Sequence, residues 1–213
     1  MEGKKINKLK LFSIFITTTF IFTVGIFFGN VISNSQLDRI SNLQQDLRTQ
    51  SLSLELQYTL ASQEPCNLTN LNIIGDELYD LSELLANMEG SLGKLNPDVL
   101  SLKEYYSLLE IKHWLFLEKI SKECKLEMPT ILYFYSNLGD CDECERQGYI
   151  LTYLKRSEEN LNVFSFDANI DNSVLNGLKE IYRIKNMKLP VLIVNGKIYS
   201  GFMELEEIRK DIS

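Results

Sequence analysis

The chain has 213 residues, a net charge of −7 and a pI near 4.9, with four cysteines and one histidine. That length allows one or two domains. The acidic balance, with no basic stripe anywhere, argues against nucleic acid as a partner.

Residues 1–10 carry Lys4, Lys5, Lys8 and Lys10 against a single Glu2, and 11–33 follow without a charge. About 20 apolar residues at 1.5 Å rise cross about 30 Å of hydrocarbon, so 11–33 is predicted to be a transmembrane helix. The lysines before it place 1–10 in the cytoplasm and everything from about residue 34 outside. Val31-Ile32-Ser33 resembles a small-residue cleavage site, which would make the segment a removed signal peptide. The apolar run is longer than a signal core, which favours an uncleaved anchor. A buried core helix fits poorly with a run this long so near the terminus.

From 34 to 125 the pattern is helical. Leu37, Ile40, Leu47, Leu54, Tyr58 and Ala61 form a heptad-like stripe that could serve self-association, and the segment ends at Glu64-Pro65. Leu71, Ile74, Leu78, Leu81, Leu85, Met88 and Leu92 give a second, cleaner amphipathic helix. Gly93, Asn96 and Pro97 mark a turn. Val99, Leu102, Tyr106, Leu109, His113, Phe116 and Ile120 are then the buried face of a third helix.

If the second and third helices form an antiparallel hairpin turning near Leu95, Cys66 and Cys124 are equally far from the turn and meet at its open end. A structural disulfide there is the favoured reading. Exchange of one of them with a later cysteine pair is the sharper alternative. A four-cysteine zinc site lacks the second close-spaced pair it needs. His113 sits on the buried stripe and is expected to be a core or boundary residue. Asn67-Leu68-Thr69 matches a glycosylation acceptor, but helix capping is the favoured role.

Beyond Pro129 the predicted order is strand (Thr130–Tyr135), helix (Cys144–Ser157), strand (Leu161–Asp167), helix (Asn172–Ile184), a hairpin turning at Asn195-Gly196, and a last helix (Met203–Ile212). Cys141-Asp142-Glu143-Cys144 falls between the first strand and its helix, where two thiols can cycle with a disulfide. Leu189-Pro190-Val191 opens a later apolar run. This order with these two motifs resembles the thioredoxin-like superfamily over 126–213.

The resemblance implies that Cys141 is the nucleophile, Cys144 the resolving thiol, Pro190 a cis-proline facing them, and Leu189 a backbone that pairs with a substrate peptide. Members of the family often have an aromatic residue before the first cysteine and Gly-Pro or Pro-His between the two. Here Asp140 precedes, and Asp142 and Glu143 intervene. Thr130–Tyr135 also lacks the buried acid of thioredoxins proper. Asp140, Asp142, Glu143 and Glu145 should raise the Cys141 pKa, with Arg146 the one nearby cation, which makes the pair a weaker oxidant.

The chain is therefore expected to be an α/β protein: a C-terminal thioredoxin-like βαβαββα domain (126–213) preceded by a basic N-terminus (1–10), a transmembrane helix (11–33) and an extracytoplasmic α-helical hairpin region (34–125). The expected function is that of a membrane-anchored thiol-disulfide oxidoreductase acting on exported protein thiols or disulfides, or on a membrane redox partner. No metal or organic cofactor is implied. The alternative is a membrane-tethered interaction or scaffold protein whose Cys141–Cys144 disulfide is static.

Overall fold

A computed structural model describes residues 8–66, 69–158 and 160–212; side chains over 8–11, at 13, over 28–48, at 50, over 69–74 and at 76 and 77 lie outside that description. The chain divides into two compact units, Met1–Leu56 and Gln57–Ser213. The first is the greater part of helix α1, Lys8–Ala61. Phe12, Ile14, Phe15, Ile16, Phe20, Ile21, Phe22, Ile26 and Phe27 are all exposed, and their spacing spreads them round most of the helix. Thr18, Thr19 and Thr23 return their hydroxyls to carbonyls one turn back, at 2.8–3.0 Å. The expected membrane span over 11–33 is not found: among the described residues no helix is long and apolar enough to cross a membrane. Residues 11, 13 and 28–33 of that span lie outside the described side chains, as do Leu37, Ile40 and Leu47. Residues 1–7 and the Asn67-Leu68 acceptor are outside the description altogether.

The second unit holds the end of α1, a helical hairpin and an α/β sheet domain. Helices α2 (Thr69–Leu92) and α3 (Pro97–Cys124) form the hairpin. Its turn follows from Gly93, at φ +89°, which a side chain would strain, and from Asn96, whose side chain accepts the Asp98 amide at 2.9 Å while Pro97 fills the first helical position. Helix α3 buries more than the one stripe read from its sequence. Val99, Leu109, His113, Phe116 and Ile120 are buried as expected, but so are Lys103, Glu110, Ile111, Trp114 and Leu117. Tyr58 and Ala61, at the end of the α1 stripe, are buried as well. The Tyr58 ring meets Phe116 edge-on at 5.1 Å, so this end of the stripe is already occupied within the chain.

The remaining elements are β1 (Thr130–Tyr135), α4 (Cys144–Ser157), β2 (Asn162–Asp167), α5 (Ser173–Ile181), a 3-10 turn (Ile184–Asn186), β3 (Val191–Val194), β4 (Lys197–Ser200) and α6 (Leu205–Ile212). The sheet runs β2-β1-β3-β4, with β1 and β2 parallel and the other pairs antiparallel. Asn195 and Gly196, at φ +48° and +83°, make the tight turn that the right-handed strand twist favours. Helix α5 stops at Ile181, short of the expected Ile184, because Arg183 turns left-handed at φ +55°.

Alternating side chains of β1 supply two cores. Leu132 and Phe134 join Phe164, Phe166, Val191 and Ile193 of the sheet, Leu175 and Leu178 of α5, and Ile111, Trp114 and Leu117 of α3. Ile131 and Tyr133 join Leu151 and Leu154 of α4 and Ile208 of α6 on the opposite face. This is the βαβαββα order of a thioredoxin-like fold, with α3 laid beside α5 as a second cover for one face. The hairpin and the sheet thus share one core within one compact unit.

Candidate active site

Cys141 and Cys144 are joined by a disulfide, with Cα atoms 5.4 Å apart. Cys144 is the first residue of α4 and is buried, whereas Cys141 precedes the helix and is partly exposed. The helix start is held from both sides. Tyr133 of β1 donates its hydroxyl to the Cys144 carbonyl. The fully buried Gln147 accepts the Met203 amide at 2.8 Å and donates to the Met203 carbonyl at 3.4 Å. Glu143 occupies the cap position without a capping hydrogen bond, so its own carboxylate does not take up the first-turn amides beside the sulfurs. Such amides, with the helix dipole, favour thiolate.

Across a cleft of about 540 Å³ from Cys141 lie Met187, Lys188 and Leu189. The Leu189–Pro190 bond is cis. Pro190 is buried and its carbonyl accepts the Gly201 amide at 2.8 Å, while Leu189 stays half-exposed on the cleft wall. The structure therefore brings Cys141, Cys144 and Leu189-Pro190 to one end of the sheet.

The charges around Cys141 are more tightly engaged than the sequence suggests. Asp140 accepts the Ser136 hydroxyl, Glu145 accepts that of Tyr149 at 2.9 Å, and Glu143 lies 3.7 Å from Lys188 Nζ. Arg146 is not the one nearby cation. Its guanidinium stacks on the Phe202 ring at 4.4 Å, and Lys188, 42 positions later in sequence, supplies a second positive charge at the cleft.

On the other side of the pair a second cavity, of about 690 Å³, runs from Cys141 and Cys144 along Gly148, Tyr149 and Thr152 to Tyr106 and Glu110. No acid sits inside β1, but α3 brings one from outside the sheet. Glu110 is buried, and its carboxyl is pushed up to about 8 by desolvation, against the downward pull of the Ser165 amide, Lys155 and Tyr106. Burial also raises the Tyr106, Tyr133 and Tyr135 phenols, leaving them neutral. A third group missed in sequence is Lys103, 1% exposed, with Nζ 2.6 Å from Glu89 and 3.6 Å from the buried Asp167. Lys103 and Glu110 were unreadable because they fall between positions of the single stripe expected of α3.

Cys66 and Cys124 are also bonded, with Cα atoms 5.5 Å apart at the open end of the hairpin. Cys124 leads into the start of β1, and Cys141 follows its end. Between them β1 contributes six residues at about 3.3 Å each, a spacer of roughly 20 Å. His113 is buried with Nδ1 3.1 Å from the Tyr58 hydroxyl, and desolvation lowers it to about 4, so it is a neutral core residue. Among the described residues no cluster of three or more His, Cys, Asp and Glu is placed to hold a metal ion.

No protein-family model and no curated protein matches the chain. Among solved structures it is similar to thioredoxin O2 from Arabidopsis thaliana in the oxidized state, with 16% sequence identity and a TM-score of 0.32 over 46% of this chain and 83% of that one.

Proposed function

We propose that the protein is a membrane-anchored, extracytoplasmic thiol-disulfide oxidoreductase working through Cys141 and Cys144. The observation that carries this is the Cys141–Cys144 disulfide at the start of α4, opening onto the same cleft as Leu189 beside the cis-proline. In the bonded form a partner thiolate attacks the accessible Sγ of Cys141 and Cys144 leaves as thiolate. A second partner thiolate then attacks the mixed disulfide and releases Cys141, so two electrons pass from partner to protein. Run in reverse, Cys141 attacks a partner disulfide, one partner thiolate leaves, and Cys144 resolves the adduct. Leu189 would pair with the partner's backbone.

Support for the anchor is chemical. The exposed residues between Phe12 and Phe27 are apolar round most of α1, and a helix apolar on all sides belongs in a core or a bilayer. The lysines before it orient the chain with its N-terminus inside.

The reading is tested on the full chain in detergent, equilibrated in graded glutathione buffers and alkylated, with each cysteine assigned by peptide mass. Cys141 and Cys144 should titrate together within the range of exchange proteins. A pair that stays locked throughout would instead make the domain a tethered scaffold. Carbonate extraction of membranes, with an impermeant alkylating reagent applied to intact cells after reduction, tests the anchor and its orientation. Extraction into the soluble fraction, or labelling only after lysis, would overturn them.

A further inference from the structure

A polar chain, buried at Lys103, Asp167 and Ser136, joins the turn end of the hairpin to the loop that carries Cys141. Glu89 on α2 pairs with Lys103 on α3, and Lys103 reaches Asp167 at the end of β2. Asp167 Oδ1 accepts the Asn169 amide and its side-chain Nδ2 at 3.0 and 3.1 Å, and Oδ2 accepts Asn137 Nδ2 at 3.3 Å. Asn169 Nδ2 also donates to Ser136 Oγ at 2.6 Å, and the same oxygen accepts the Leu138 amide at 3.2 Å and donates to Asp140. Asn137 is thus tied to Asp167 directly, Ser136 through Asn169, and Leu138 and Asp140 through Ser136 and Asn169. Asp167 in turn is 2% exposed, and Lys103 brings a buried cation to within 3.6 Å of its carboxylate.

We propose that Lys103 is a positioning residue for the Cys141–Cys144 pair: through Asp167, Asn169 and Ser136 it ties the hairpin to the 136–140 loop and so sets how readily the disulfide closes. The inference rests on the oxidoreductase reading. Cys144 is fixed by α4, so the equilibrium between dithiol and disulfide depends on how far the loop restricts Cys141. A held loop keeps the two sulfurs together in both forms. A slack loop must be ordered on closure, which favours the dithiol. A purely electrostatic role for Lys103 has the opposite sign, because removing a cation disfavours thiolate and stabilises the disulfide.

The test compares the full chain with Lys103→Met and Ser136→Ala in graded glutathione buffers. Retention of the Cys66–Cys124 bond and an unchanged far-UV spectrum report that each variant is folded. The disulfide equilibrium constant should fall by about tenfold in Lys103→Met, which removes the buried cation paired with Asp167, and several-fold in Ser136→Ala. Because both variants cut the same chain, the double variant should fall no further than the larger single effect. If Lys103→Met does not fold, Ser136→Ala carries the test alone, since it removes a single hydroxyl and no charge. An unchanged or increased constant in a folded variant overturns the positioning role. Failure of the unaltered protein to titrate overturns the oxidoreductase reading instead.

Discussion

Glu110 and Ser165 are joined across two elements: both carboxylate oxygens of Glu110, on α3, accept the Ser165 amide on the outer edge of β2, at 3.2 and 3.3 Å. The bond satisfies an edge amide that has no neighbouring strand, and it buries an acid in doing so. Glu110 is raised from 4.5 to about 8, so between those values the folded chain holds a proton that the unfolded chain does not. Its stabilising contribution is full below pH 4.5 and is lost as pH rises toward 8. His113 acts in the other sense. It is lowered from 6.5 to about 4, and its contribution is present above 6.5 and lost as pH falls toward 4. Between pH 6.5 and 8 only Glu110 remains. Urea unfolding should show stability falling across that window, by at most about 2 kcal/mol, and a flat profile in Glu110→Gln. A variant that keeps the unaltered slope would place the titrating group elsewhere.

Trp114 is the sole tryptophan and lies on α3, yet its core neighbours include Phe134 and Phe166 of the sheet. Its fluorescence should therefore change in the same unfolding transition as the far-UV signal. Trp114→Ala should cost about 3–5 kcal/mol, the range for removing a large buried ring. A fluorescence transition well ahead of the spectroscopic one would mean that the hairpin leaves before the sheet.

The Cys66–Cys124 bond closes a loop of 58 residues. Replacing both with alanine should lower stability by about 4 kcal/mol in the chain-entropy estimate. It should leave the Cys141–Cys144 midpoint where it was, because the two bonds sit at opposite ends of β1. Calorimetry and thiol titration on the same variant read the two quantities separately. A shifted midpoint would reveal coupling along the hairpin.

Lys188 is the cation that sequence reading leaves out of the cleft. Lys188→Gln should raise the Cys141 pKa in the reduced protein and slow its alkylation at neutral pH by about two- to threefold. The Lys188 side chain is 79% exposed, so the difference should vanish in about 1 M salt. A difference that persists there would point to a contact rather than a charge.

The sheet domain was legible because each local signal agrees with the fold: alternating strands, the Asn195-Gly196 turn and the paired cysteines at a strand-to-helix junction. The hairpin was legible from the equal distances of Cys66 and Cys124 from its turn. What stayed hidden depends on having two neighbours at once. Read as an amphipathic helix, α3 has one apolar face, and Lys103, Glu110, Ile111, Trp114 and Leu117 fall outside it. In the fold it meets the sheet as well, so a position that faces water in an isolated helix becomes interior. The Ile111-Trp114-Leu117 line was the available signal, since a helix apolar on two sides needs two partners. Lys188 carried no such signal, because its approach to Glu143 depends on the loop before β3.

The placement of β1 between the two cysteine pairs also bears on how the chain acquires its bonds. In an unfolded chain Cys124 lies much nearer in sequence to Cys141 than to Cys66, and loop-closure entropy favours that wrong pairing by about 1 kcal/mol. Once β1 is laid into the sheet it acts as a rigid spacer, and Cys124 pairs with Cys66. Correct pairing is then a product of assembly rather than of proximity, and a chain oxidised before α3 and β1 come together would be trapped with the reactive end of the protein sealed to the base of its own hairpin.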